Sequence, residues 1–248
     1  MRVFIPKGKN SLFISNEIIT ENTYAAFFGF SVMGWEVVFY ESVFPPEGLS
    51  REDVVIGWIP QVKKGLSNLG ITPPDELDYP EEIRSYLGRN VWNSTLHTIY
   101  TDDKLWPVFV KPVKGKQFDG KLITSLKDLV GMGDQLEDRK IWCSDPVNFI
   151  SEWRCFVKYG QLIDSRNYKG TFRVQPNFDI VENCIKDYKS SPAAYALDFG
   201  VTKDGKTLLV EANDAFALGS YGLTPINYAK LISARWSELV GIPDPCQF

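Results

Sequence analysis

The stretch Tyr195-Ala196-Leu197-Asp198-Phe199-Gly200-Val201-Thr202-Lys203-Asp204-Gly205-Lys206-Thr207-Leu208-Leu209-Val210-Glu211-Ala212-Asn213-Asp214 decides the fold. Asp204-Gly205 between two apolar runs is a strong hairpin signal, because the turn needs residues that tolerate positive φ. Antiparallel strands are therefore expected over Tyr195–Val201 and Thr207–Glu211. Such a pairing brings Asp198 and Glu211 to one end, and Asn213 adds a third oxygen donor two residues on. Hard oxygens around a shared point are what Mg²⁺ uses when nucleotide phosphates complete its octahedron. The bland alternative is a polar hairpin edge with solvated acids, but Leu208-Leu209-Val210 is too apolar to favour it.

Two upstream clusters fit the same chemistry. Phe109-Val110-Lys111-Pro112 reads as a buried strand ending in a lysine, followed by the Lys- and Gly-rich loop Val113–Gly120. A point charge and backbone donors suit a polyphosphate, although Lys-Pro dipeptides are common. Ser151-Glu152-Trp153-Arg154-Cys155-Phe156-Val157 reads as a strand covered on both faces, with Glu152 and Arg154 on one face and Trp153 and Cys155 on the other. Opposite charges on a covered face form either a structural ion pair or a ligand site.

The first third alternates strand and helix. Strands are expected at Arg2–Ile5, Trp35–Tyr40 and Val54–Ile56, with a crossover helix within Glu17–Gly34 and another from Pro60 to Leu69. This is the pattern of a small parallel α/β unit. Pro73-Pro74 breaks the chain, and a helix starts near Tyr79-Pro80-Glu81-Glu82. From Trp106 the texture is that of strands joined by short turns, with a short helix over Ser125–Val130, a strand over Lys140–Cys143, a hairpin spanning Trp153–Asp164 and a closing amphipathic helix over Ile226–Val240.

Composition excludes several classes. The 248 residues are 44% hydrophobic and 23% charged, which is globular rather than disordered. A net charge of −4 argues against a nucleic-acid partner gripped through a basic surface. No apolar run is long enough for a membrane span, the N-terminus does not read as a signal peptide, and the four cysteines form no CxxC pair, so a cytoplasmic protein with reduced thiols is expected. With His97 as its one histidine, the chain cannot build a His-rich zinc site, so catalysis would rest on carboxylates, Lys, Arg and a bound metal.

Taken in order, Val-Lys-Pro, a loop, a hinge strand, Glu-x-Arg, Asp-x-Gly and Leu-Val-Glu-Ala-Asn between Trp106 and Tyr221 resemble the ATP-grasp superfamily, in particular its short, divergent members carrying a Glu-Trp-Arg-x-Phe-Val strand. The resemblance implies mixed α/β and α+β architecture: an N-terminal parallel α/β domain (residues 1–88), then two α+β subdomains (89–144 and 145–248) that clamp ATP. It implies that Lys111 contacts the α- and β-phosphates, and that Lys116 and Gly120 lie in the loop covering them. Asp145 and Val147 would read the adenine edge, Glu152 the ribose hydroxyls, and Arg154 would lie nearer the phosphates. Arg166, Lys169 and Arg173 would face the γ-phosphate, and Asp198, Glu211 and Asn213 would bind Mg²⁺. The loop departs from the usual small, Gly-rich form at Gln117 and Phe118.

The activity so implied is an ATP- and Mg²⁺-dependent ligase that joins a carboxylate to an amine or other nucleophile through an acyl-phosphate, releasing ADP. Two alternatives stand beside it. One is a non-catalytic ATP-binding module. The other is covalent nucleotidyl transfer, for which Lys116-Gln117-Phe118-Asp119-Gly120 has one residue too many for a Lys-x-Asp-Gly motif. The substrate, whether metabolite, peptide or protein, and the oligomeric state are not legible. The Gly/Ser turn within Asp214–Gly222 is the candidate place where backbone N–H groups hold a carboxylate, the alternative being a plain loop.

Overall fold

The computed structural model describes residues 1–7, 20–41, 43–114, 118–132 and 138–247. The N-terminal segment builds the expected parallel unit. Strands β1 (Arg2–Pro6), β2 (Glu36–Tyr40) and β3 (Asp53–Val55) lie in the order β2-β1-β3, all parallel. Helix α1 (Glu21–Val32) connects β1 to β2, and helix α2 (Ile59–Asn68) follows β3. Thr20 caps α1 by accepting from Thr23 N–H at 3.2 Å, while Thr23 Oγ1 answers the Thr20 N–H at 3.0 Å.

A second sheet contains β4 (Val91–Thr95), β5 (Val108–Pro112), β6 (Lys121–Ile123) and β7 (Lys140–Ser144) in the antiparallel order β4-β7-β5-β6. Helix α3 (Leu96–Thr101) follows β4, and Leu96, Ile99, Val108, Val110, Ile123 and Ile141 fill the core there. The third sheet contains β8 (Phe149–Lys158), β9 (Gln161–Gly170), β10 (Ala194–Thr202) and β11 (Thr207–Asp214) in the order β11-β10-β8-β9. Between β9 and β10 lies α4 (Phe178–Asp187), and the chain closes with α5 (Pro225–Val240). Sequence reading of strands and short turns beyond Trp106 therefore missed α4, which Asn177 caps by accepting from Asp179 N–H at 2.9 Å. It also missed β4 and β6, and the expected helix after Pro80 is a tight 3₁₀ turn over Glu81–Leu87.

Both faces of the third sheet are covered. On β10, Tyr195, Leu197 and Phe199 face α4 and the 79–87 segment, joining Val181, Cys184, Tyr79, Ile83 and Leu87 in one core. Ala194 and Ala196 face the other way, into the core shared with α5, α1 and the parallel sheet. Asp198 continues the Ala194–Ala196 row past the end of that core, so alternation alone sets it on the functional face. The four cysteines are buried and unpaired, as packing thiols. Among the described residues no helix is long and apolar enough to cross a membrane.

Helix α1 is tied to α5 through Gly29. A Cβ there would stand 2.1 Å from the Pro225 carbonyl oxygen and 2.8 Å from Ala229 Cβ, both rigid neighbours. Gly29→Ala is therefore expected to force the helices apart and cost about 1–3 kcal/mol, despite alanine's better helix propensity. Denaturant unfolding checks this; an unchanged midpoint would mean that the two helices are not in tight contact.

Candidate functional site

The second and third sheets meet where β5 ends. Lys111 Nζ, the penultimate residue of β5, lies 2.6 Å from Asp78 Oδ1 and 2.6 Å from Glu211 Oε2 on β11, and 4.7 Å from the centre of the Tyr79 ring. Burial acts to lower the Lys111 pKa, but Glu211, Tyr79 and Asp78 outweigh it and hold the ammonium protonated well above the ordinary lysine range. Burial likewise opposes ionisation of Glu211, and the Lys111 charge and hydrogen bond prevail, keeping that carboxyl below its usual value.

Asp198 and Glu211 are directly opposed in the β10–β11 register, and Arg154 on β8 opposes Asp198 on its other side. Arg154 grips Asp198 with two parallel bonds, Nε to Oδ1 at 2.8 Å and Nη2 to Oδ2 at 2.7 Å. Burial pushes the Asp198 carboxyl up; the guanidinium, itself raised above its ordinary value by Asp198 despite burial, pulls against that. The paired geometry is that of a carboxylate with an arginine fork. Asn213 closes the group, its Nδ2 lying 3.2 Å from Asp198 Oδ2 and 3.2 Å from Glu211 Oε1. Among the described residues no three His, Cys, Asp or Glu side chains form a metal-ligating group, so two carboxylates and an amide are what this locus offers a cation.

A bulge makes the arrangement possible. Asp198 pairs with Glu211 but Phe199 pairs with Leu209, leaving Val210 as the extra residue on β11. The slip sends Leu209 into the core together with Ala212, while Glu211 and Asn213 face Asp198. Arg89 holds the bulge by donating to the Leu209 and Val210 carbonyls at 2.7 and 3.0 Å. A second bulge, on β9, leaves Tyr168 as the extra residue opposite Glu152 and Trp153. As a result, adjacent residues Tyr168 and Lys169 both reach Glu152, the tyrosine hydroxyl donating to Oε2 at 2.8 Å and the ammonium to Oε1. Arg154 lies 4.3 Å from the centre of the Tyr221 ring and 6.0 Å from that of Tyr168, and the two rings meet edge to face at 5.4 Å.

The sequence-derived residues thus divide. Lys111, Arg154, Asp198, Glu211 and Asn213 form one connected cluster, and Glu152 with Lys169 adjoins it through Tyr168. Arg166 opposes Arg154 across β8 and β9, and its guanidinium is engaged by Asp164 at 2.6 Å. Arg173 is exposed on the turn after β9 and makes none of the cluster's contacts. Asp145 and Val147 lie on the coil between the two antiparallel sheets; Asp145 Oδ2 accepts from Asn90 N and Nδ2 at 3.1 and 2.8 Å. Gly120 lies against Phe109, where a Cβ would come within 2.6 Å of the ring, and Lys116 falls outside the described residues. The turn after β11 does hold a carboxylate, but it is the chain's own: Glu21 Oε1 accepts from Gly222 N at 2.8 Å and Ser220 Oγ at 3.2 Å, and Ser220 N donates to Asn22 Oδ1 at 2.8 Å. Sequence reading missed Asp78, Tyr79 and Tyr168, and it took the turn that contains Tyr221 for its backbone N–H groups rather than for the ring that meets Arg154.

Comparison with known proteins gives a family and a fold. Residues 86–231 match the family model described as an ATP-grasp domain, R2K clade family 2. No curated protein matches in sequence. Among solved structures, D-alanine–D-alanine ligase from Bacillus anthracis aligns over 97% of this chain and 98% of its own, with 15% identity and a TM-score of 0.54. N5-carboxyaminoimidazole synthetase from Staphylococcus aureus aligns over 99% of this chain and 78% of its own, with 12% identity and a TM-score of 0.57. A RimK domain protein ATP-grasp from Sphaerobacter thermophilus aligns over 94% of this chain and 98% of its own, with 14% identity and a TM-score of 0.55. At such identities the likeness is one of fold.

Proposed function

The chain belongs to the ATP-grasp domain family of R2K clade family 2, and on that premise we propose that it is an ATP- and Mg²⁺-dependent ligase that activates a carboxylate as an acyl-phosphate, releases ADP and passes the acyl group to an amine or another nucleophile. The observation that carries the proposal is the meeting of Lys111 from one antiparallel sheet with Glu211 from the other at 2.6 Å, beside the buried Arg154–Asp198 pair. In this reading Lys111 binds phosphate oxygens, and Asp145 and Val147 present backbone groups to the adenine edge. Glu152 holds ribose hydroxyls. Arg154, with Arg166, Lys169 and Arg173 along β9 and its following turn, neutralises charge on the transferring phosphoryl group. Asp198, Glu211 and Asn213 fit a hard divalent cation in chemistry, provided the Asn213 amide turns its oxygen toward the carboxylates. When bound there, Mg²⁺ supplies charge stabilisation for the phosphates. A fold without a histidine in this cluster suits a reaction that depends on positioning and charge more than on a general base.

The test is to screen amino acids, short peptides and small carboxylates for ADP release, then to follow labelled carboxylate oxygen into inorganic phosphate. Label transfer supports the acyl-phosphate; AMP release with an adenylated lysine would replace it by nucleotidyl transfer. Lys111→Met is expected to weaken ATP binding by roughly 1.5–3 kcal/mol, the worth of a hydrogen bond to a charged group. Calorimetry showing unchanged ATP affinity would reduce Lys111 to a structural strand-end lysine.

A further inference from the structure

Lys111 lies between two carboxylates with different surroundings. Glu211 belongs to the proposed cation group. Asp78 belongs to the coil before the 79–87 segment, where its other oxygen accepts from Trp142 Nε1 at 2.9 Å and its carbonyl accepts from Ala212 N at 2.8 Å. Its φ of +46° is unusual for a non-glycine residue and is held by those contacts. Asp78 is therefore a fixed anchor aimed at Lys111. The ammonium already neutralises Glu211, and a divalent cation approaching that carboxylate would meet a like charge within bonding distance.

We infer that Lys111 is the resident counter-ion of Glu211, exchanged for the divalent cation when nucleotide phosphate draws the ammonium away, with Asp78 tethering Lys111 through the exchange. This rests on the proposed function, which makes the cluster a nucleotide site. The charge balance supports the exchange. Asp78, Asp198 and Glu211 carry three negative charges against two positive ones on Lys111 and Arg154. With Lys111 turned to phosphate yet still paired with Asp78, and Arg154 paired with Asp198, the Glu211 carboxylate is left without its counter-ion, and a divalent ion shared with the phosphates takes that place. Metal and nucleotide then bind as a coupled pair, each raising the other's affinity by the same factor.

The test uses Mn²⁺ as probe, with free ion followed by electron paramagnetic resonance, in the presence and absence of a non-hydrolysable ATP analogue. Wild type is expected to bind Mn²⁺ weakly alone and at least about tenfold more tightly with the analogue. Lys111→Met is expected to bind Mn²⁺ alone at least about tenfold more tightly than wild type, while losing most of the analogue's further effect. Glu211→Gln in that background should abolish the gain. Asp78→Asn keeps the lysine but loosens its tether, and is expected to shrink the ratio of Mn²⁺ affinities with and without analogue, a readout that a loss of stability alone would not move. A folded Lys111→Met protein that binds Mn²⁺ no better than wild type, or an unchanged ratio in Asp78→Asn, overturns the exchange while leaving the ligase reading standing. A wild type that binds no analogue with either ion present overturns the ligase reading, and the exchange with it.

Discussion

Arg154→Met is expected to destabilise the protein by about 3–5 kcal/mol, the usual cost of stranding one member of a buried ion pair. The Arg154 and Asp198 side chains are only 8% and 3% exposed, so solvent does not screen the loss. The stranded Asp198 carboxyl has its folded pKa raised by burial, and its penalty therefore grows as pH rises through and above the unfolded value near about 4. Below that pH both states are protonated and the deficit should shrink; urea unfolding at acidic and neutral pH reads this directly. The double variant Arg154→Met/Asp198→Leu should recover most of the stability, because buried pairs are often replaceable by apolar side chains at no net cost. It should recover no ATP turnover. Recovered stability without recovered turnover would assign the pair, which lies against Tyr221 and Tyr168, to chemistry at the site rather than to folding. Full stability in Arg154→Met at neutral pH would contradict the buried pairing.

Glu211→Gln is expected to lower ADP formation by roughly 10²–10³-fold, the scale on which single electrostatic contacts to a transition state act. The fold should survive. Lys111 keeps Asp78 as a partner, and Gln retains the shape and one carbonyl oxygen, so the stability loss should not exceed about 3 kcal/mol. Circular dichroism and a coupled ADP assay separate the two effects. Normal turnover in Glu211→Gln would return these acids to the status of a polar hairpin edge.

What the sequence revealed follows the range of its signals. The hairpin was legible because Asp204-Gly205 sits between apolar runs, and it placed Asp198 and Glu211 near each other, but their direct opposition depends on the bulge at Val210, which shifts the register set next to the turn. The parallel unit was legible from its strand and helix alternation. Glu152 and Arg154 sharing a face followed from period-two alternation within β8. Asp78 was not legible: it lies in a Pro- and acid-rich coil that reads as solvated, and its partners Lys111 and Trp142 are 33 and 64 residues away. Tyr168 was hidden because a bulge, which has no pattern in a single sequence, turns it to the side of its neighbour Lys169. The turn after β11 was legible as an acceptor of carboxylate, but not that Glu21, 201 residues from Gly222, is the carboxylate it takes.

The most direct measurement is calorimetric titration of ATP into wild-type protein with and without Mg²⁺. Two carboxylates and one amide leave half of an octahedron open, and Mg²⁺ is held weakly by so few protein ligands, so anionic phosphate oxygens are expected to take up open positions and tighten its binding. ATP affinity should therefore rise at least about tenfold when Mg²⁺ is present, while Mg²⁺ alone binds weakly. Titration curves that are identical with and without Mg²⁺ would contradict the assignment of Asp198, Glu211 and Asn213 to a nucleotide-linked cation.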